Sequence, residues 1–154
     1  MRSTLLAIFF AVGATPHLLA FDFYDAGGKL YRSTNLAEDI QRHHGFYSSP
    51  RVVLVQTPSL THSDYKRQMT ILGRIDAERL NLLYVVSSRS GVARHGYHTT
   101  PKASAEVTGH SGGFRVTLFN SGQKVLATAD HPLSAKELQR ALAPGGKTNA
   151  SSSK

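Results

Sequence analysis

The amino-acid sequence predicts an α/β domain, a mixed sheet with helices packed on both faces, built in the order βαβ and then ββα. Three observations predict it. Val52-Val53-Leu54-Val55-Gln56 and Leu82-Leu83-Tyr84-Val85-Val86 are apolar at successive positions, the pattern of strands buried on two faces. Between them Tyr65, Met69 and Leu72, with Ile71 and Ile75, recur at helical spacing. Beyond residue 113 the rhythm becomes alternation, the mark of a hairpin, and a strongly capped helix follows.

Taken in order, residues 22–30 read as a short extended segment broken by Ala26-Gly27-Gly28, an edge hairpin. Phe21, Phe23 and Tyr24 are expected to pack on the body, because leaving such side chains in water forfeits roughly 1.5–3 kcal/mol apiece. Residues 35–42 are predicted to be a short helix, with Asn35 and Glu38 as its capping pair. The first long strand stops at Pro58, and a helix is predicted over 61–79, with Thr61 and Asp64 as a capping box. Strand, helix and second strand make a βαβ unit with a right-handed crossover. Residues 87–113 are polar and basic with scattered apolar positions; they read as one long loop that is functional, mobile or partly a strand. Phe114, Val116 and Leu118 then alternate with Arg115 and Thr117. Asn120-Ser121-Gly122 makes the turn, with Gly122 at the positive backbone angle, and Val125, Ala127 and Ala129 alternate again. The last helix has Ser134 as N-cap, Glu137 as its N3 partner and Leu133 with Leu138 as a staple. Its stripe of Leu138, Ala141 and Leu142 ends at Pro144-Gly145-Gly146.

The length, 154 residues, suits a single domain. There is no cysteine, which removes disulfides, thiolate nucleophiles, Cys-ligated zinc, iron–sulfur clusters and thiol redox cycling. At the start, Met1-Arg2-Ser3-Thr4 followed by an apolar run from Leu5 to Ala14 reads as a signal peptide over 1–20, cut after Ala20 or, less far along, after Ala14. A run of ten apolar residues is too short to span a bilayer. The other readings of this segment are a first buried element and a retained membrane-surface anchor. The expected organisation is therefore a signal peptide over 1–20, one domain over 21–143 and a disordered tail over 144–154, which lacks large apolar residues. Location is expected to be exported, periplasmic or extracellular, with no transmembrane span in the mature chain.

The order βαβ then ββα is that of a thioredoxin-like sandwich. Arg51 through Ser59, Tyr65 and Gln68, Leu82 through Val86, Phe114 through Lys124, and Pro132-Leu133-Ser134 running to Leu138 together resemble the DUF4174 family over residues 50–143. Its most specific stretch is the glycine-turn hairpin followed by Pro132-Leu133-Ser134 and the final helix. The resemblance implies a thioredoxin-like fold without redox cysteines, found in exported bacterial proteins and in repeated domains of an extracellular coiled-coil-domain protein of animals. The chain differs from the family's common pattern at Gln56-Thr57 and in the polar 87–113 stretch.

Where a redox thioredoxin carries its two cysteines, this chain has Pro58-Ser59-Leu60-Thr61-His62-Ser63-Asp64, and oxygen nucleophiles cannot replace a thiol pair. Gly113 stands where such proteins place a cis-proline, so the substrate clamp is expected to be missing. A serine hydrolase from Ser59 or Ser63 with His62 is the weaker reading, since capping and turn roles explain these residues and no G-x-S-x-G elbow is present. The eight histidines are 17, 43, 44, 62, 95, 98, 110 and 131, without an H-E-x-x-H or comparable spacing. A metal-dependent enzyme would need at least three of His62, His95, His98 and His110 to converge with a carboxylate.

The formal charge of +8 comes from 18 Lys and Arg against 10 acids, with a concentration at Arg89, Arg94, His95 and Lys102. No RNA-binding aromatic pair, KH glycine loop, zinc finger or P-loop accompanies it, so nucleic acid is not an expected partner. The expected function is a non-catalytic exported interaction or structural module. It would bind a protein or an anionic envelope component, with no catalytic, metal or cofactor residues assigned. The alternative is a metal-dependent or serine hydrolase using the clustered His and Ser residues.

Overall fold

The computed structural model describes residues 21–33, 50–94, 96–120 and 124–144. The expected segments at 1–20, 35–42 and 145–154, the Gly122 angle, His43, His44, His95 and the Phe21 side chain lie outside that description.

Among the described residues seven strands form one mixed sheet: β1 (Phe21–Tyr24), β2 (Leu30–Ser33), β3 (Arg51–Thr57), β4 (Leu82–Ser88), β5 (Tyr97–Thr99), β6 (Arg115–Phe119) and β7 (Val125–Ala129). Their spatial order is β2-β1-β5-β4-β3-β6-β7. β3 pairs in parallel with β4 and β4 with β5, while the other neighbours run antiparallel. Helices α1 (Ser63–Leu72), α2 (Pro101–Thr108) and α3 (Ala135–Leu142) flank it.

Because successive strand residues point to opposite faces, β3 builds two cores at once. Val53 and Val55 join Leu82, Val116, Leu118, Leu72 of α1 and Leu138, Ala141 and Leu142 of α3. Val52 and Leu54 join Leu83, Val85, Phe119 and Phe23, with Val107 of α2 packed against them. The β1–β2 hairpin is the expected edge hairpin. Asp25 closes its turn by accepting from the backbone N–H groups of Gly27 and Lys29. Phe23 is fully buried, edge-on to Tyr97 with ring centroids 6.0 Å apart. The capping box of Ser134 and Glu137 forms as expected, and Leu133 and Leu138 are both buried.

Two expectations are corrected. The first helix runs 63–72, not 61–79. His62 is its N-cap without a side-chain bond, and Thr61 instead shares a hydrogen bond with Ser59, Oγ to Oγ1 3.0 Å. The helix ends at Gly73, after which Asp76 caps the Arg79 N–H and turns carry the chain to β4. Ile75, Ala77 and Leu80 still pack on the core from this irregular backbone, so the apolar rhythm outlasts the helix.

Secondly, residues 87–113 are not one loop: they hold β5 and α2. Thr100 caps α2 by accepting from the Ala103 N–H, Pro101 takes the first turn, and Gly109 ends it at φ 68°, the left-handed angle that glycine adopts without Cβ strain. β5 has three residues and is wedged between β4 and β1, so neighbours rather than propensity make it a strand. The expected order βαβ then ββα is present, with the β1–β2 hairpin before it and β5 and α2 between its two halves.

One side chain joins the two ends of the α1–α3 layer. Gln68 on α1 is fully buried; its Nε2 donates to the Leu133 carbonyl at 3.3 Å and its Oε1 accepts from the Leu133 N–H at 2.6 Å. Replacing it by the similarly shaped Gln68→Met leaves both Leu133 groups buried without partners, each costing about 1–3 kcal/mol. Urea unfolding is expected to show a loss of roughly 2–4 kcal/mol. A change within the scatter of a surface substitution would contradict the role assigned to this pair.

Candidate functional site

The strands β3 and β4 end at the same pole of the sheet, and there the apolar rows of the α2 face give way to a polar one. Register places Thr99, Ser87, Gln56 and Arg115 side by side on β5, β4, β3 and β6. Paired residues project to one face, so these side chains form a row across the sheet. Thr99, Ser87 and Gln56 are buried. Ser104 of α2 lies over the row, with its Oγ 2.7 Å from that of Ser87, and donates to the Pro101 carbonyl. Gln56 Nε2 donates to the His110 carbonyl at 3.0 Å, which orients the amide and leaves Oε1 enclosed without a hydrogen-bond partner. The next row inward contains Thr117, whose enclosed Oγ1 is also without a partner.

Gln56, Ser87, Ser104 and His110, with Thr57, Arg89, Pro101 and the 111–113 backbone, line a recess with a cavity volume of about 20 Å³, enough for one small polar group. Arg89 is exposed at its mouth, and its N–H bonds the Thr57 carbonyl. Exposed Lys102 follows in the first turn of α2, whose N-terminal dipole adds positive potential at the same pole.

At the β6 end of the row, Arg115 holds Asp130 through two bonds, Nε to Oδ1 at 2.6 Å and Nη2 to Oδ2 at 3.1 Å. The Arg115 bond keeps the Asp130 carboxyl below its ordinary range, against a smaller opposing effect of burial. His110 is held below the usual histidine value, first by burial and then by the Arg115 charge, with Asp130 pulling the other way. At neutral pH its ring is uncharged, and its enclosed Nε2 has no partner.

The other candidate residues do not join this group. His62 lies flat against Phe114, ring centroids 6.1 Å apart; its backbone N–H donates to the Ser59 carbonyl at 3.2 Å, while its ring Nδ1 is enclosed without a partner. His98 stacks on Tyr24 at 5.2 Å beside an apolar groove. His131 approaches Glu137 at 3.8 Å. Among the described residues no three His, Asp or Glu side chains come together as a metal site. Gly113 has φ 72°, and the described residues contain no cis peptide. Sequence reasoning reached Arg89, Lys102 and His110 but missed Gln56, Ser87 and Ser104. The signal for Gln56 was a polar residue inside a strand otherwise buried on both faces.

No family model matches the chain, and no curated protein matches it. Solved structures do. The pneumococcal exposed lipoprotein thioredoxin from Streptococcus pneumoniae is 17% identical, with 80% of this chain and 98% of that chain covered at a TM-score of 0.54. The thioredoxin domain of a thiol-disulfide oxidoreductase from Bacteroides vulgatus is 12% identical, with 83% and 94% covered at 0.54. A thiol-disulfide oxidoreductase from Bacteroides fragilis is 12% identical, with 80% and 94% covered at 0.52. The fold is thioredoxin-like. These proteins are named for thiol chemistry, and this chain has no cysteine with which to perform it.

The His110 environment has a measurable consequence. A histidine whose value is lowered by folding opposes protonation, so stability is lost as pH falls from the ordinary value of 6.5 toward the lower folded value. NMR titration of the His110 ring is expected to give a midpoint below 6.5, moving upward in Arg115→Gln and further downward in Asp130→Asn. An unchanged midpoint in both variants would contradict the coupling.

Proposed function

We propose that the chain is an exported, non-catalytic thioredoxin-like module that binds a protein or anionic component of the cell envelope through the pole where β3 and β4 end. The observation that carries this reading is the buried polar row opening into a recess edged by Arg89, in a chain without cysteine. Polar groups buried without partners cost stability; of the five such side-chain atoms among the described residues, Gln56 Oε1 and His110 Nε2 belong to this row and recess and Thr117 Oγ1 to the next row inward, which favours recognition over packing. Arg89 and Lys102 give the same pole a positive field that steers acidic surfaces toward it. Export rests on the Arg2 n-region and the apolar run from Leu5 to Ala14. Among the described residues no helix is long and apolar enough to cross a membrane. Membership of DUF4174 would rest on the resemblance over residues 50–143, most specifically the hairpin and Pro132-Leu133-Ser134.

The test places a photo-crosslinking residue at one of two exposed positions of the full chain in its own cells. Thr61 adjoins the β3–α1 junction, and Glu78 lies on the turn leading into β4, at the opposite pole. Crosslinks to one envelope component at 61, weakened by salt, and none at 78 are the expected result. Equal labelling at both positions, or trapping only at 78, would overturn the assignment of the pole.

A further inference from the structure

We propose that the recess formed by Gln56, Ser87, Ser104 and His110 is a binding site for a primary carboxamide group, taken NH2 end first. The argument is one of hydrogen-bond polarity. At the floor the hydroxyl protons are already committed: Ser104 donates to the Pro101 carbonyl, leaving Ser87 to donate to Ser104, and Thr57 donates to the Ser59 carbonyl. The Gln56 amide is oriented by the bond that one of its two N–H groups makes to the His110 carbonyl, and its carbonyl oxygen is the atom without any partner. Gln56 is only 5% exposed, and no described protein group satisfies that oxygen. The floor therefore presents an acceptor, Gln56 Oε1, and His110, whose Nε2 is likewise without a partner, is among the residues lining the recess. At the mouth the order is reversed, for Arg89 supplies cationic donors.

A group matching this arrangement needs N–H donors at its tip and an oxygen acceptor just behind, and it must enter a space the size of a water molecule. A carboxamide has that dipole. A carboxylate would set its lone pairs against those of Gln56, and an ammonium would meet Arg89 as a like charge. A neutral amide avoids both costs, and a small unionised group loses little on leaving water when every N–H finds an acceptor. Two sources offer this chemistry, a free small amide and the side chain of Asn or Gln in a peptide.

This inference concerns the pole proposed above for partner binding but is tested separately: crosslinking at residue 61 can fail while the amide binds, and the amide can fail while a partner is trapped. The experiment is NMR titration of the isotopically labelled chain with acetamide, acetate and methylammonium. A capped glutamine and its glutamate counterpart follow. Acetamide is expected to shift the Gln56 side-chain NH2 and the Ser87, Ser104 and His110 amides, saturating in the millimolar range that befits so few non-hydrogen atoms. Acetate and methylammonium are expected to leave them unsaturated. Capped glutamine binding more tightly than acetamide, with capped glutamate silent, assigns a peptide source; binding of acetamide alone assigns a free amide. Gln56→Leu should weaken acetamide by at least about tenfold with spectral dispersion retained. Gln56→Glu, which keeps the shape and adds charge, should shift preference from acetamide toward methylammonium. Lack of a saturable acetamide response, equal binding of acetate, or undiminished binding by folded Gln56→Leu would overturn the proposal.

Discussion

A strand that is apolar at four successive positions has no solvent face to offer, and Val52 to Val55 are all 2% exposed or less. Burying each such side chain is worth roughly 1.5–3 kcal/mol, so β3 can exist only with a full layer on each side. That requirement organises the molecule. It puts α1 and α3 over Val53 and Val55, and α2 with Phe23 over Val52 and Leu54. It makes β3 the strand between the parallel β4 and the antiparallel β6, and it demands that the long return from β4 to β6 contain a helix.

The same strand ends in Gln56 and Thr57, which are as deeply buried as the apolar residues before them. Coverage that serves a valine is a cost for an amide, and it is offset only in part. Thr57 finds the Ser59 carbonyl and Gln56 finds the His110 carbonyl, but Gln56 Oε1 finds nothing in the described protein. Around this defect the charges are arranged with some economy: Arg115 is neutralised by Asp130 away from the recess, while Arg89 is left facing solvent at its edge. The pole thus combines buried acceptors with exposed cations, an asymmetry that a purely structural end of a sheet does not need.

Legibility followed the strength of each local signal. The two-face runs, the hairpin alternation and the Ser134–Glu137 box each follow from the residues themselves, and each formed. The helix over 61–79 was overextended because Ile75, Ala77 and Leu80 keep an apolar spacing that turns can satisfy as well as a helix. β5 was invisible because Tyr97-His98-Thr99 carries no apolar run and becomes a strand only between two partners. α2 had a readable frame in Thr100-Pro101 and Gly109, but its eight residues, PKASAEVT, carry a single large apolar side chain, Val107, and so show no apolar stripe at helical spacing. Gln56 was read as the end of a strand, when its importance lies in where the register sets it, beside Ser87 and Arg115. Such a row is assembled from four strands distant in sequence, and no local pattern announces it.

The zero in the cysteine column separates this chain from the thiol chemistry for which its structural neighbours are named, and the proposed function is assigned instead to the polar pole. The central claim is that Gln56 is kept buried to meet something that is not part of the described protein. A high-resolution crystal structure tests it most directly. The expected result is ordered density, from solvent or ligand, within hydrogen-bond distance of Gln56 Oε1, with the amide still donating to the His110 carbonyl. A closed, dry recess in which Gln56 turns to bond protein groups through both its oxygen and its nitrogen would contradict it.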